Sequence, residues 1–338
     1  MLSRIFPLIA LFLAGCDGPE QAVAPSQDDL DRVAEILNQP TEKIVGNLFS
    51  EVGVPQIRLS ETRIRFANAL ELAECGLLQL IAERNSSLGK QKQESRRLIY
   101  EWEIRAGLSR CLQVHDKEWF QLAVNAKQYD VEAAMIELLT NSEEADRIQA
   151  KISAPFKTLN ESTIAYTGAT MNILRTLNTA LSDTDAADKS TISDFEESLK
   201  AWSETQHHGT LHRAVGQTLS WISNANRIQT TAIKSDRLCP MGTPTELGRN
   251  LHTFLQGYFK HTLQPKISSL SRALESLERQ WSVLPLTLIS HDELIDALLN
   301  LPPGTRDKLR RAIALHVQQW QLLLQDCGLA PRAETTNS

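Results

Sequence analysis

The chain has 338 residues, 42% of them hydrophobic, with 35 Lys+Arg against 41 Asp+Glu and a formal net charge of −6. That length allows one large domain or two smaller ones. A mildly acidic surface of mixed sign lacks the basic patch that nucleic acid or an anionic bilayer selects, so no nucleic-acid partner is expected.

Met1-Leu2-Ser3-Arg4 is a short positive start, and Ile5 to Leu13 is an apolar run broken only by Pro7. Leu13-Ala14-Gly15-Cys16 follows. A charged end, a short greasy centre and small residues before a cut describe a secretory signal peptide over residues 1–15. The run is too short to span a bilayer, which takes about 20 apolar residues. With a cysteine directly after the small pair, these four residues resemble the lipobox of bacterial lipoproteins. The resemblance implies that the Cys16 sulfur takes a diacylglycerol, that the peptidase cuts before Cys16, and that the new amine is acylated. It implies a membrane partner through that anchor, since several acyl chains hold where one does not. Covalent lipid on Cys16 is then the expected modification, and no other cofactor is expected. Asp17 resembles the signal that retains such proteins in the inner membrane of enteric bacteria. The expected location is the periplasmic face of the inner membrane, with the outer membrane as the alternative. Removing 1–15 takes away one charge, Arg4, so 34 Lys+Arg face 41 Asp+Glu and the mature charge is −7. Residues 16–25, with Gly18, Pro19 and Pro25 and no apolar period, read as the lipidated cysteine and a tether.

Cys75, Cys111, Cys239 and Cys327 remain besides Cys16. An exported chain matures in an oxidising compartment, where an even number suggests two disulfides, and four cysteines allow three pairings. Cys75–Cys111 would staple neighbouring helices, and Cys239–Cys327 would tie a loop to the end of the last helix; buried free thiols are the alternative. No Cys-x-x-Cys pair suggests zinc.

Helical spacing runs through the rest, and no alternating strand pattern is found. Ser26 opens a helix to about Asn38, ended by Pro40. Leu59 to about Glu83 reads as one long helix, opened by Ser60, with Phe66, Leu70, Ala73, Leu77 and Leu80 inward and Gly89 suited to a cap. A helix from near Ser95 to Cys111 carries Leu98, Trp102 and Ala106. Lys117 to Ser142 holds one or two shorter helices, and Glu143 to Ile152 another. Glu161 to Leu181 places Ile164, Thr167, Met171 and Leu174 inward. The polar stretch 182–191 is the best internal linker and a possible subdivision. Ser193 to Gln206 and Leu211 to Ile233 follow. Thr245 caps a helix to Gln264, and Pro265 kinks a stripe that continues through Ile267, Leu270, Leu274, Leu277 and Trp281. Ser290 caps His291–Asn300, and Thr305 caps a last helix with Leu309, Ile313, His316, Trp320 and Leu323 inward. The pattern predicts an all-α multi-helix antiparallel bundle, or stacked helical hairpins, over residues 26–330, with a polar tail over 331–338.

Candidate chemistry is sparse. In His207-His208-Gly209-Thr210-Leu211-His212, His208 and His212 share a helix face at a spacing that can bind zinc. Gly209 stands where a metalloprotease motif needs Glu, and it suggests a helix boundary, so a solvated helix start is the main expectation and metal the weak alternative. No Gly-x-Ser-x-Gly elbow exists, and Glu143-Glu144, Glu196-Glu197 and Asp292-Glu293 read as solvated charge. No catalytic residue is assigned. The six tryptophans fall on apolar stripes and read as core anchors. Arg84-Asn85-Ser86-Ser87-Leu88-Gly89, on a cysteine-bearing helix behind a lipobox, is similar to an uncharacterised family of proteobacterial lipoproteins (domain of unknown function 3080). That likeness supports export and supplies no chemistry.

The resulting expectation is a non-enzymatic scaffold or binding protein of the cell envelope, held by lipid, with an envelope protein as partner. A carrier of lipid or a small molecule among the helices and an envelope hydrolase are the rivals. An accessible apolar cavity would favour the first rival, and histidines facing an acid across a cleft the second.

Overall fold

A computed structural model describes residues 24–45, 57–60, 69–86, 93–115, 117–150, 168–183, 189–205 and 207–330. The signal peptide, Cys16, Asp17, Phe66, Gly89, Ile164, Thr167, residues 184–188 of the 182–191 linker and the 331–338 tail lie outside them. The described residues are helical, with no strand among them.

α1 (Gln27–Leu37) begins at Ser26, whose hydroxyl accepts from Asp29 N while Asp29 accepts from Ser26 N; left-handed Asn38 ends it. Next come α2 (Ala69–Glu74) and α3 (Leu78–Asn85). The single helix expected over 59–83 is therefore broken. Gly76 sits at φ +72°, open to a residue without Cβ, and ends α2 in a turn before Leu77. The break moves the inner stripe, so Leu72 and Leu77 are buried and Ala73 faces out.

α4 (Glu94–Val114) and α5 (Glu118–Asn141) form a long antiparallel pair, and the stretch read as one or two shorter helices is one. α6 (Glu143–Ala150) follows, then α7 (Gly168–Ser182) against α8 (Lys189–Ser203). In α7, Ile173 and Leu177 are buried and Met171 faces out, against its expected inward placement. α9 (His207–Lys234) is the central helix, packed on α1 and on α13 (Thr305–Asp326). Gly209 lies inside α9 and marks no boundary.

α10 (Glu246–Phe254) starts at Thr245, whose hydroxyl accepts from Gly248 N. It runs directly into a nine-residue π-helical stretch, Leu255–Leu263, and then α11 (Gln264–Trp281). Pro265, where the kink is expected, lies in the first turn of α11. Proline offers no N–H and its ring crowds the carbonyl four residues back, here that of His261. The wider turn bonds Gln264 N to Phe259 O, five residues back, and Leu263, Ile267, Leu270, Leu274, Leu277 and Trp281 are all buried.

α12 (His291–Leu298) has the Ser290–Glu293 capping box. At α13 the cap is Gly304, at φ +75°, and Thr305 is the buried first helical residue rather than the expected cap. Arg306 secures this turn. It is 2% exposed, and its guanidinium reaches Asp296 Oδ1 at 2.6 Å, Asp292 O at 2.8 Å and Oδ1 at 2.9 Å, and the Glu278 carboxylate. Asp292 is thus paired, not simply solvated. Glu132 makes a second long-range clamp, accepting from Thr287 N at 2.5 Å and Leu288 N at 2.7 Å.

The apolar core has three parts. One gathers Trp102, Trp202 and Trp281 among α4, α5, α7, α8, α11 and α12. A second gathers Trp221 and Trp320 among α1, α9, α10 and α13. A smaller one holds Leu72, Leu77, Ile104, Leu108 and Phe120 where α2 and α3 meet α4 and α5. Five of the six tryptophans are buried, as their stripes predict, and Trp119 is half-buried.

Candidate functional site

The cysteines pair as the spacing suggested. Cys75 lies with Cys111 at a Cα separation of 5.6 Å, and Cys239 with Cys327 at 5.1 Å, both within disulfide range. The first joins the α2–α3 break to α4. The second joins the loop before α10 to the end of α13. Gly248 lets that loop close on α10, since a Cβ there would stand 2.6 Å from Leu238 O.

The histidines of α9 are not a solvated helix start. His208 is 6% exposed and His212 is 2% exposed. The first turns of α9 lie under the end of α8 and beside Trp281 and Leu299, so a polar-looking sequence is turned into the core. His212 Nδ1 meets Leu299 O at 2.9 Å. His208 packs edge-on to Trp202, with ring centroids 5.5 Å apart, and neither of its nitrogens has a hydrogen-bond partner. Burial first, then the neighbouring His207, pushes its pKa down to about 4. The adjoining cavity, lined by His207, His208, Thr205 and Trp281, holds about 10 Å³, roughly one water. A general base must reach a substrate proton, and no substrate fits here. His208 and His212 gain no third metal donor among the described residues.

Open concave surface lies elsewhere. A groove of about 220 Å³ runs between α3 and α4, lined by Leu80, Glu83, Arg84, Gln93, Arg96, Arg97, Ile99, Tyr100 and Glu103. The period of α4 puts Arg96, Ile99, Tyr100 and Glu103 on one side. The guanidinium of Arg84 lies 5.8 Å from the Tyr100 ring centroid. Burial, then Glu83, raises the Glu103 pKa; burial also raises that of the Tyr100 phenol. A second groove of about 220 Å³ shares Gln93 and Arg96 and extends to Glu94, Glu143, Glu144 and Glu196. Arg96 pairs with Glu196 at 3.2 Å, in solvent. Together the two make an elongated surface, apolar with mixed charge at one end and acidic at the other. It was not predicted, because its residues come from four helices, and Arg84, Glu143, Glu144 and Glu196 stand in separate stretches of the sequence.

One cluster of buried, paired charge joins α4 and α5. Lys127 Nζ reaches Glu101 at 2.7 Å and Asp130 at 2.8 Å, and Asp130 also accepts from Ser60 N at 2.6 Å. These groups hold α4, α5 and the 57–60 segment together. They are closed to a substrate.

A family model described as a protein of unknown function (DUF3080) matches residues 27–331. No curated protein and no solved structure matches the chain. The matched span starts at the first residue of α1 and takes in every helix described above.

Proposed function

The chain belongs to the DUF3080 family, and from that premise we propose that it is a lipid-anchored periplasmic protein that binds an envelope protein, as scaffold or adaptor. The lipobox at Leu13-Ala14-Gly15-Cys16 supports the anchor, and Asp17 supports the inner membrane. One observation carries the binding role: the two grooves that share Gln93 and Arg96. Each is smaller than the 300–1,000 Å³ common for small-molecule pockets. Both are open and run end to end along the start of α4. That shape suits an extended protein segment. The apolar floor at Leu80, Ile99 and Tyr100 takes an apolar side chain, and the acidic end at Glu143, Glu144 and Glu196 takes a basic one.

The rival readings find less support. The cavity beside His208 has room for about one water, too little for a lipid. The imidazoles of α9 face no acid across a cleft.

Site-specific photo-crosslinking in cells tests this reading. A photoreactive residue at Gln93 or Glu103 of the lipidated chain should give one reproducible envelope-protein adduct. The same residue at Asp307 should not, and the Cys16→Ser form should lose the adduct. Glu196→Lys should reduce it severalfold. Equal bystander adducts at all positions would count against the proposal. Intact mass of detergent-extracted protein tests the anchor separately: a chain starting at Cys16 without added lipid mass would remove it.

A further inference from the structure

The sulfurs of Cys75 and Cys111 share their corner with an imidazole. One ligand atom from each of Cys75, Cys111 and His115 lies within 4.8 Å of the other two. No other group of three His, Cys, Asp or Glu donors is so placed among the described residues, and the Cys239–Cys327 pair has no such third donor. We infer that reduction of Cys75–Cys111 creates a zinc site whose ligands are Cys75, Cys111 and His115.

The chemistry of the donors supports this. Two thiolates and one imidazole are a recognised zinc set, with a fourth position open to water. Glu74 Oε2 stands 3.3 Å from His115 Nε2. With Nδ1 as the ligand atom, that carboxylate stands on the ring's other nitrogen, where it fixes the ring and raises its basicity. Geometry supports it too. Tetrahedral zinc at about 2.3 Å from each sulfur holds the two sulfurs about 3.8 Å apart. Cys75 lies in the turn before Gly76, at a break between helices, where a side chain can swing that far without disturbing a helical turn. Cys111 lies in the last turn of α4 and His115 is its extended C-cap, and the donor distances bring both to the same corner. Lys117 and Trp119 bind Glu71 beside them and hold α2 against the α4–α5 corner.

The step balances with a dithiol reductant. One molecule gives two electrons and two protons, the S–S bond breaks, and two thiols form while the reductant becomes a disulfide. Zn²⁺ then displaces the two thiol protons. Oxidation reverses this and releases the ion. The corner is therefore a disulfide under oxidising conditions and a metal site under reducing ones.

The test uses the full detergent-solubilised chain with Co²⁺ as a spectroscopic probe and Zn²⁺ as competitor. After reduction with a phosphine, the chain should take one Co²⁺, with a thiolate-to-cobalt charge-transfer band that Zn²⁺ abolishes. The oxidised chain should show no band. His115→Ala keeps both cysteines, and therefore the oxidised fold, and should bind Co²⁺ at least about tenfold more weakly. Cys111→Ser should remove the band, and Cys239→Ser/Cys327→Ser should retain it. Circular dichroism checks that each variant is folded. Absence of the band in the reduced chain, unchanged affinity in His115→Ala, or loss of the band in Cys239→Ser/Cys327→Ser would each overturn the site.

Discussion

Trp320 donates its indole N–H to His316 Nε2 at 3.0 Å, and this bond fixes the protonation of a fully buried imidazole. On the other side, His316 Nδ1 meets Asn226 Oδ1 at 2.8 Å, while Asn226 Nδ2 donates to Ala312 O at 3.1 Å. The asparagine's oxygen must therefore face the ring, so Nδ1 carries the proton and Nε2 accepts. A second proton would set N–H against N–H.

Acid should therefore weaken the fold through its buried histidines. Burial pushes the His316 pKa down to about 3, and His208 stands at about 4. The sign follows from linkage. Unfolded histidine takes its proton near pH 6.5 and the folded chain does not, so stability is lost as pH falls from about 6.5 toward the folded values. At pH 5 each residue costs about 2 kcal/mol relative to pH 7.5. Urea midpoints at pH 7.5 and 5 check this. His316→Gln should lower stability at pH 7.5 and flatten the pH dependence. Equal slopes in variant and parent would disprove the assignment to His316.

Arg306 should behave as the keystone of the α11–α12–α13 corner. Its guanidinium reaches three carboxylates, and the partner Asp296 is itself buried. Removing one member of a buried pair leaves a charge without compensation, a cost of about 3–5 kcal/mol. Arg306→Met should fall in that range. Adding Asp296→Asn to it should restore part of the loss, although Asp296 also accepts from Gly304 N at 2.9 Å. A double-mutant cycle by chemical denaturation measures the coupling. Strict additivity would show that the two groups act independently.

Helical class, most helix positions, both cysteine pairs and the buried tryptophans were legible because each rests on local periodicity, cap residues or cysteine parity. The failures share a different origin. Gly76 splits a helix whose apolar spacing continues across the break, and periodicity cannot register a turn inside it. His207 to His212 looks solvated because its residues are polar, yet Trp202, Trp281 and Leu299 cover it from distant parts of the chain. Thr305 resembles a cap, and the glycine one residue earlier takes the role because Arg306 needs the turn closed. The grooves along α4 draw on α3, α6 and α8, so only the packing of those helices creates them. The His115 donor lies 40 residues from Cys75 in sequence and meets it across the α2–α4 contact, which no spacing rule reveals.

The π-helical stretch should be the consequence of Pro265. Tyr258 within it bonds the Asp29 carboxylate, which also takes Lys266 Nζ at 2.8 Å, so the stretch grips α1. Burial, then that bond, raises the Tyr258 phenol to about 12. Pro265→Ala gives residue 265 an N–H and frees the His261 carbonyl from the ring. The stretch should then relax toward α-helix and turn Tyr258 by about 100° relative to α11. Its phenol should titrate closer to the ordinary value of about 10. Ultraviolet titration, with Tyr258→Phe subtracted to isolate this one of four tyrosines, reads the change. A phenol still near 12 would show that packing on α1, not the proline, sets the wider turn.

The two disulfides should differ in what they hold. Cys239–Cys327 closes 88 residues and Cys75–Cys111 closes 36. Chain entropy alone assigns about 4.6 and about 3.8 kcal/mol respectively, within a general range of about 2–5 kcal/mol. Packing widens the difference. Cys239 and Cys327 sit in the core with Trp320 and Leu238, so opening that bridge loosens α10 from α13 and exposes central apolar surface. Cys75 anchors only the short α2–α3 segment, and α3 has no fully buried residue of its own. Cys239→Ala/Cys327→Ala should therefore lower the global melting temperature more than Cys75→Ala/Cys111→Ala does. The second variant should instead lose hydrogen-exchange protection locally, over 71–86, while α9 and α13 keep theirs. If both variants lost protection evenly along the chain, α2 and α3 would have to be integral to the cooperative core. The groove they border would then be a fixed part of it, and not a surface held in place by one bridge.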